Sequence, residues 1–437
     1  MIATSNLQLH SFGNGSGLTL NIGIVGAGIA GLTAAAALSR LGHRVNVYER
    51  SSFSSEVGAA INVGPNAAPV LRALGFDVFG ANFIEAQGLV RLDAHTLEEL
   101  EHGSFEDFKN KFNAPLYLSH RVDLHNELKR LALSGSDGFP GARLHLATRV
   151  IDVDCENGIL KFEDGTTVSH DVVIGADGVH SVVAQCVLGG TIPAIEVKKC
   201  AFRFLIPTQK LLDNHITKPL FEDGRIRMQI ATAPDRRLVF YPCRNGEIQN
   251  FVGVCPVLGK GNESEDWQSG GNVQDLLDMF STFHPILVEI CRNAEDLKFW
   301  KLLTRSPIRK WIKGKTIIIG DAVHPMLPQQ AQGASQGIED AGALGIFLSN
   351  IQSLEDIPRH LELVQNIRRD RTAAIQLFSN FSPDEPEKMD KQAELYAKGP
   401  LPKNRAEFQK WHFHYDILSE CRKVMDEFQS SKATASM

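Results

Sequence analysis

The sequence predicts an α/β fold in which a parallel-sheet domain is interleaved with a β-rich domain and followed by a C-terminal helical segment. Three observations carry that expectation. A glycine fingerprint, Gly26-Ala-Gly28-Ile-Ala-Gly31, sits between the apolar run Ile22 to Val25 and the Ala-rich stretch Leu32 to Leu41. Two glycine–aspartate turns, Gly175-Ala-Asp177-Gly178 and Gly320-Asp321-Ala322-Val-His324, follow apolar runs much later in the chain. Between them, from about residue 195 to 300, the composition shifts to β-formers.

The first apolar run suits a buried parallel strand and the Ala-rich stretch a helix. The glycines therefore fall at the strand-to-helix turn that a Rossmann-like dinucleotide site requires. Gly26 permits the tight turn, Gly28 lets a diphosphate approach the backbone, and Gly31 lets the helix lie close on the strand with its N-terminus facing the negative charge. Glu49 ends the next strand, Arg44 to Tyr48, where a carboxylate accepts hydrogen bonds from a ribose. A membrane span over residues 22–38 is disfavoured. A span needs about 20 apolar residues, whereas this run holds four glycines and leads into a second strand.

At 437 residues with 43% hydrophobic composition, the chain is expected to form two or three domains with substantial cores. The net charge of −6 and the lack of a Lys/Arg cluster point away from nucleic acid and anionic membranes. Seven scattered cysteines without a Cys-x-x-Cys pair argue against a disulfide framework or a zinc site and read as reduced thiols. No metal is indicated, since the 15 histidines are mostly isolated and no His-Glu-x-x-His occurs. Residues 1–19 read as a loose polar leader without a signal peptide, and the expected compartment is cytoplasmic.

Along the chain, Gly58-Ala-Ala-Ile-Asn62-Val-Gly-Pro-Asn66 reads as a small-residue loop before a helix that stops at Gly75. His120-Arg121-Val-Asp123-Leu124 opens another helix, and Leu144 to Val150, Leu160 to Phe162 and Val172 to Gly175 read as strands. Arg225 to Ala231, Arg237 to Pro242 and Ile248 to Val254 also read as strands. The last two are joined by Arg244-Asn245-Gly246-Glu247, and Asn-Gly between such runs signals a hairpin. Thr316 to Ile319 is an apolar strand, Gln336 to Asn350 a helix, and the charged tail is helical around an aromatic knot, Trp411-His-Phe-His-Tyr415. The expected organisation is a discontinuous nucleotide-binding domain (20–75, 118–190, 302–375), a β-rich substrate domain (76–117, 191–301) and a C-terminal helical segment (376–437).

In this order the motifs resemble those of the single-component FAD-dependent aromatic hydroxylases, the group A flavoprotein monooxygenases, in their salicylate hydroxylase-like branch with its many fungal secondary-metabolism enzymes. The resemblance covers nearly the whole chain. It is most specific along Gly320-Asp-Ala-Val-His-Pro-Met-Leu-Pro328-Gln-Gln-Ala-Gln-Gly333-Ala334-Ser-Gln-Gly-Ile-Glu339-Asp340-Ala341; Glu56-Val-Gly-Ala-Ala-Ile-Asn62 and Trp411 to Asp416 match as well.

The resemblance implies an FAD monooxygenase that uses NAD(P)H and O2, through a flavin C4a-hydroperoxide, to hydroxylate a phenolic or other electron-rich aromatic small molecule. It assigns Gly26, Gly28, Gly31, Glu49, Asn62, Arg121, Asp177, Asp321, Pro328, Gly333 and Ala334 to FAD. Asp321 binds the ribityl chain, and Gly333 and Ala334 offer helix-start N–H groups to the reduced ring. Arg203 and Tyr241 are the candidate substrate residues, holding a phenolate or carboxylate and sharing a phenol proton. His324, His412 and His414 read as packing histidines. One position departs from the pattern: the family's Asp-Gly-x-x-Ser-x-x-Arg ends here at Ala184, and His180 or Arg149 are the candidate substitutes for that arginine in NAD(P)H use. Epoxidation or indole oxidation, and a non-catalytic flavin-binding sensor, are the alternative readings. The oligomeric state is left open.

Overall fold

The computed structural model describes residues 17–53, 58–135, 138–257, 270–380, 395–397 and 401–435; Glu56 and most of the leader lie outside them. Its first layer is a six-stranded sheet in the order Ile312–Lys313, Thr316–Ile318, Val172–Gly175, Asn21–Val25, Arg44–Tyr48, Arg143–His145. Asn21–Val25 lies at its centre, parallel to both neighbours, with Ile22 opposite Val172 on one side and Val45 on the other. Continuous apolar runs suit these strands because helices cover them. The fingerprint helix Ile29–Ser39 buries every residue from Gly31 to Ser39 and packs against the helices Arg121–Leu133 and Gly333–Phe347. Its alanines permit that crowding.

The second layer is a seven-stranded sheet in the order Glu295–Thr304, Ile195–Pro207, Ile248–Pro256, Arg237–Cys243, Arg227–Thr232, Gly88–Asp93, Glu99–Ser104. Alternation along its strands gives it two distinct faces. One carries Phe202, Phe204, Leu238, Phe240 and Phe251, which form a single core with residues of the helices Val273–Phe280 and Pro285–Arg292. Within it the Phe204 and Phe251 rings stack at 5.0 Å. The residues between them, Arg203, Leu205, Val239, Tyr241, Asn250 and Val252, occupy the opposite face, where Arg203 pairs with Val252 and Tyr241 with Asn250. That face is covered by other parts of the chain: Ala201, Val254 and Leu302 pack with Leu327, and Tyr241 with Ile84, Leu118 and Phe413.

The hairpin forms where Asn-Gly predicts it. Arg244, Asn245 and Gly246 all have positive φ (49°, 54° and 87°), and Cys243 pairs with Ile248 across the turn. Elsewhere the structure corrects the sequence reading. Ala60–Val63, inside the expected 58–66 loop, is a strand because its backbone pairs antiparallel with Tyr117–His120, a partner far away in sequence. The expected strand 144–150 is two: Arg143–His145 joins the main sheet, Ala147 turns the chain at φ 50°, and Val150–Asp154 joins a separate three-stranded sheet. The helix expected from Gln336 begins at Gly333, and the helix Ile357–Asn380 runs without a break through the domain boundary drawn after 375.

A Cβ at Gly31 would lie 2.1 Å from the Gly26 carbonyl oxygen, which belongs to the backbone and cannot yield without moving the fingerprint turn. Gly31→Ala should therefore destabilise the chain by about 1–3 kcal/mol. Urea unfolding checks this, and an unchanged midpoint would show that the helix can slide on the strand.

Candidate functional site

The three glycine motifs, far apart in sequence, meet around the fingerprint helix. Gly26, at φ +100°, donates its N–H to Tyr48 O at 2.8 Å, and a Cβ there would lie 2.4 Å from Ala176 O of the second motif. Ala30 plays the same role for the third motif, since a Cβ at Gly320 or Gly337 would lie 2.8 or 3.0 Å from the Ala30 Cβ. Gly28 is different. It caps the helix in an extended conformation, and a Cβ on it would meet nothing within 4 Å, so bare backbone at a helix N-terminus faces open space.

Polar groups border that opening. Glu49 accepts from Ala27 N–H at 2.9 Å and from Ser51 N–H at 2.8 Å. Asp177 accepts from the Ser181 hydroxyl and from Val182 and Val183 N–H at 2.7 and 3.2 Å, so its carboxylate also caps the helix Val182–Leu188; burial pushes its pKa up against these bonds. Asp321 keeps an exposed side chain although protein atoms crowd it closely enough for desolvation to dominate its titration. Burial pushes its carboxyl upwards, opposed by its electrostatic interactions with His324 and Arg121. A Cβ on Gly333, the first residue of its helix, would lie 3.9 Å from Asp321 Oδ1, and the helix start at Gly333 and Ala334 is accessible. Arg121 opens the helix Arg121–Leu133 and is anchored by its N–H to Ala59 O at 2.7 Å.

The second sheet closes the cleft from the other side. Arg203 lies buried within electrostatic reach of Arg121 and Tyr241, with its guanidinium 5.7 Å from the Trp300 ring. Burial and Arg121 lower its pKa to about 10, which leaves it charged at neutral pH. Tyr241 is buried and its phenol pushed up, opposed by Arg203. Asn62 donates to Met228 Sδ at 3.7 Å, while its Oδ1 is buried without a hydrogen-bond partner among the described residues. Leu327 packs on this sheet, and Pro328 begins an exposed turn beside it. The structure thus brings Asp321, Arg121, Arg203 and Tyr241 to one place and sets the fingerprint, Glu49 and Asp177 around the fingerprint turn.

Several residues at the site escaped sequence reasoning. Asn250 holds Ala60 N–H at 3.2 Å beside Tyr241, and His120 is buried next to Arg121. Arg305 donates to Val179 O in the Asp177–Val179 loop, Arg149 is exposed and ion-pairs with Glu163 at 3.6 Å, and His180 is exposed at the end of the loop. Ala184 is buried in the core, its N–H donating to Ser181 Oγ at 2.8 Å. Glu339, Asp340, Arg368 and Arg371 form a buried ionic cluster behind the cleft. Glu339 and Asp340 fall within the motif stretch Gly320 to Ala341, but nothing in the sequence names Arg368 and Arg371 as their partners. Burial would raise the Asp340 carboxyl, but His324 and Arg368 outweigh it and hold the pKa down to about 2. His324 packs against Asp340 at 2.7 Å, and His412 bonds Phe408 O at 2.7 Å within the C-terminal knot. Among the described residues no cluster of His, Cys, Asp or Glu is arranged to hold a metal, and no helix is long and apolar enough to cross a membrane.

Two family models match the chain: an FAD binding domain over residues 126–376 and an NAD(P)-binding Rossmann-like domain over residues 24–60. An FAD-dependent monooxygenase of Aspergillus candidus, cfoG, is 34% identical over 418 residues, 94% of this chain and 96% of the relative. A 3-hydroxybenzoate 6-hydroxylase of Klebsiella oxytoca is 30% identical, over 80% of this chain and 85% of that protein. Among solved structures, CtdE in complex with FAD and substrate 4 superposes with a TM-score of 0.78 at 22% identity, over 96% of this chain and 100% of that one, a likeness of fold.

His120 supplies a pH test of the site's burial. Desolvation, helped by the Arg244 charge, lowers its pKa from 6.5 to about 4, so the folded state keeps it neutral where the unfolded chain takes up a proton. Its contribution is complete above pH 6.5 and is lost as the pH falls towards 4, a change of about 3 kcal/mol. Unfolding free energies of wild type and His120→Gln across that window should differ in slope by about one proton. Parallel curves would mean that His120 is hydrated in solution.

Proposed function

The chain belongs to the FAD-dependent aromatic monooxygenases, the salicylate and 3-hydroxybenzoate hydroxylase-like group close to the fungal secondary-metabolism enzymes, and from that premise we propose that it uses NAD(P)H and O2 to hydroxylate a phenolic or salicylate-like small molecule in a biosynthetic pathway. The observation that supports this most is the apposition of two surfaces. Arg203 and Tyr241 lie on the one face of the seven-stranded sheet that confronts Arg121 and Asp321.

The residues present fit FAD. Open backbone at Gly28 and the helix N-terminus suit a diphosphate, with Gly26 and Gly31 making the turn possible. Glu49 suits a ribose, Asp321 the ribityl hydroxyls, and Arg121 the cofactor's oxygens and phosphates. Asp177 would link protein and dinucleotide. Gly333 and Ala334 would offer helix-start N–H groups that favour negative charge on the reduced ring, and Asn62 and Pro328 would be its further neighbours. The chemistry supplied by bound FAD is electron transfer from NAD(P)H and activation of O2.

The chain's own part is to bind, orient and exclude water. Arg203, desolvated but charged, holds the substrate's acidic oxygen and lowers its pKa, which makes the ring a better nucleophile. Tyr241, kept protonated by burial, donates to that oxygen and shares its proton. Val239, Val252, Trp300 and Leu327 supply apolar walls that keep water from the reacting carbon.

The reading is tested by NAD(P)H consumption of the FAD-loaded protein across phenols, salicylates and indoles, with product masses in parallel. Stimulation with a product heavier by one oxygen atom is expected; FAD binding without stimulation by any phenol would sink the aromatic assignment. Arg203→Met should lower kcat/KM by about 10- to 100-fold at unchanged FAD content, and Tyr241→Phe should lower kcat by about 100-fold. Gly28→Ala should fold, losing about 1 kcal/mol at most as a poorer helix cap because its Cβ meets nothing, yet bind FAD at least about tenfold more weakly. Wild-type affinity in that variant would show that the diphosphate lies elsewhere.

A further inference from the structure

Behind the turns assigned to FAD lies a cluster of charges that substrate binding and hydroxylation do not use. Glu339 and Asp340, fully buried in the helix Gly333–Phe347, face Arg368 and Arg371 of the helix Ile357–Asn380. Asp340 Oδ1 accepts from Arg368 Nε at 2.8 Å. Glu339 accepts from Arg368 Nη1 and, at 2.8 Å each, from Arg371 Nε and Nη2. Two carboxylates and two guanidiniums are formally neutral together. Burying four ions costs several kcal/mol each before pairing, and well-packed apolar side chains would stabilise the fold as well. Packing alone therefore does not account for them.

The cluster's contacts do. Asp340 Oδ2 accepts from Gly320 N–H at 2.9 Å and pairs with His324 Nε2 at 2.7 Å, fixing the turn that presents Asp321. Glu339 Oε1 accepts from Asn66 Nδ2 at 2.6 Å and Gln336 Nε2 at 3.2 Å. Asn66 also donates to Gln332 Oε1 at 3.1 Å, and Ser335 Oγ accepts from Gly64 N–H at 3.2 Å, which ties the 62–66 segment to the helix start at Gly333. Three separate loops of the cofactor site thus end on one buried, charge-balanced core.

We propose that Glu339, Asp340, Arg368 and Arg371 are positioning residues for FAD: they set these three loops relative to one another, and their charge balance tunes how readily the bound flavin accepts electrons. The inference rests on the FAD site described above. An unbalanced charge in a low-dielectric interior acts over several ångströms, so its sign is readable in the flavin.

The test compares wild type with Asp340→Asn, Glu339→Gln, Arg368→Met and the neutral variant Asn66→Ala. FAD affinity is measured by fluorescence titration, the flavin midpoint potential by dye-coupled reduction, and fold by circular dichroism. Asp340→Asn and Glu339→Gln should shift the potential to more positive values and Arg368→Met to more negative ones. Each should weaken FAD binding at least tenfold. Asn66→Ala leaves every charge in place, so it should fold, lose severalfold in FAD affinity and keep the wild-type potential. Loss of thermal stability with unchanged FAD affinity, or potentials that ignore the sign of the charge removed, would reduce the cluster to scaffolding and overturn the proposal. If the charge variants do not fold, wild-type FAD affinity in Asn66→Ala overturns it alone. Wild-type protein that takes up no FAD would instead overturn the cofactor reading, and this inference with it.

Discussion

The architecture depends on a close approach that no Cβ can enter. Where the fingerprint helix crosses its strand, Gly31 abuts the Gly26 carbonyl, Gly26 abuts Ala176, and Ala30 fills the space left by Gly320 and Gly337. These contacts put three chain segments within van der Waals distance around one helix. The nucleotide-binding surface is the result of that crowding. Backbone must be bare where the segments touch, and the same bareness at Gly28 leaves peptide N–H groups facing outwards for an anion.

Around this centre the molecule separates its chemistry by layer. The seven-stranded sheet buries a phenylalanine-rich face against its own helices and turns the alternate residues to the cleft. Period-two alternation thus places Arg203, Tyr241 and Asn250 together without any loop having to carry them. Residues on a strand between ladder partners have little freedom to drift, so the three keep a fixed mutual geometry. The cleft is correspondingly asymmetric, with backbone and carboxylates on one wall and a cation, a phenol and apolar side chains on the other.

Electrostatically the lining differs from the cluster behind it. Asp321 and Asp177 are pushed up by desolvation, whereas Asp340 is held down by His324 and Arg368. Charge is therefore compensated in the deep cluster and left less compensated at the lining, where ligand groups can complete it. Arg305 beside the Asp177 loop places a cation there.

The sequence by itself determined the local chemistry. The fingerprint glycines, the hairpin at Asn245-Gly246, the helix after His120 and the strands before each Gly-Asp turn were legible because each rests on backbone preferences within a few residues. Family likeness in turn supplied Arg203 and Tyr241. Only the tertiary structure decided which face those two occupy and that Ala60–Val63 is a strand. It alone paired Glu339 with Arg371, thirty-two positions away. A strand pairing or a buried ion pair between distant segments leaves no periodic trace in either segment. Its energy depends on a partner that the neighbouring sequence does not name.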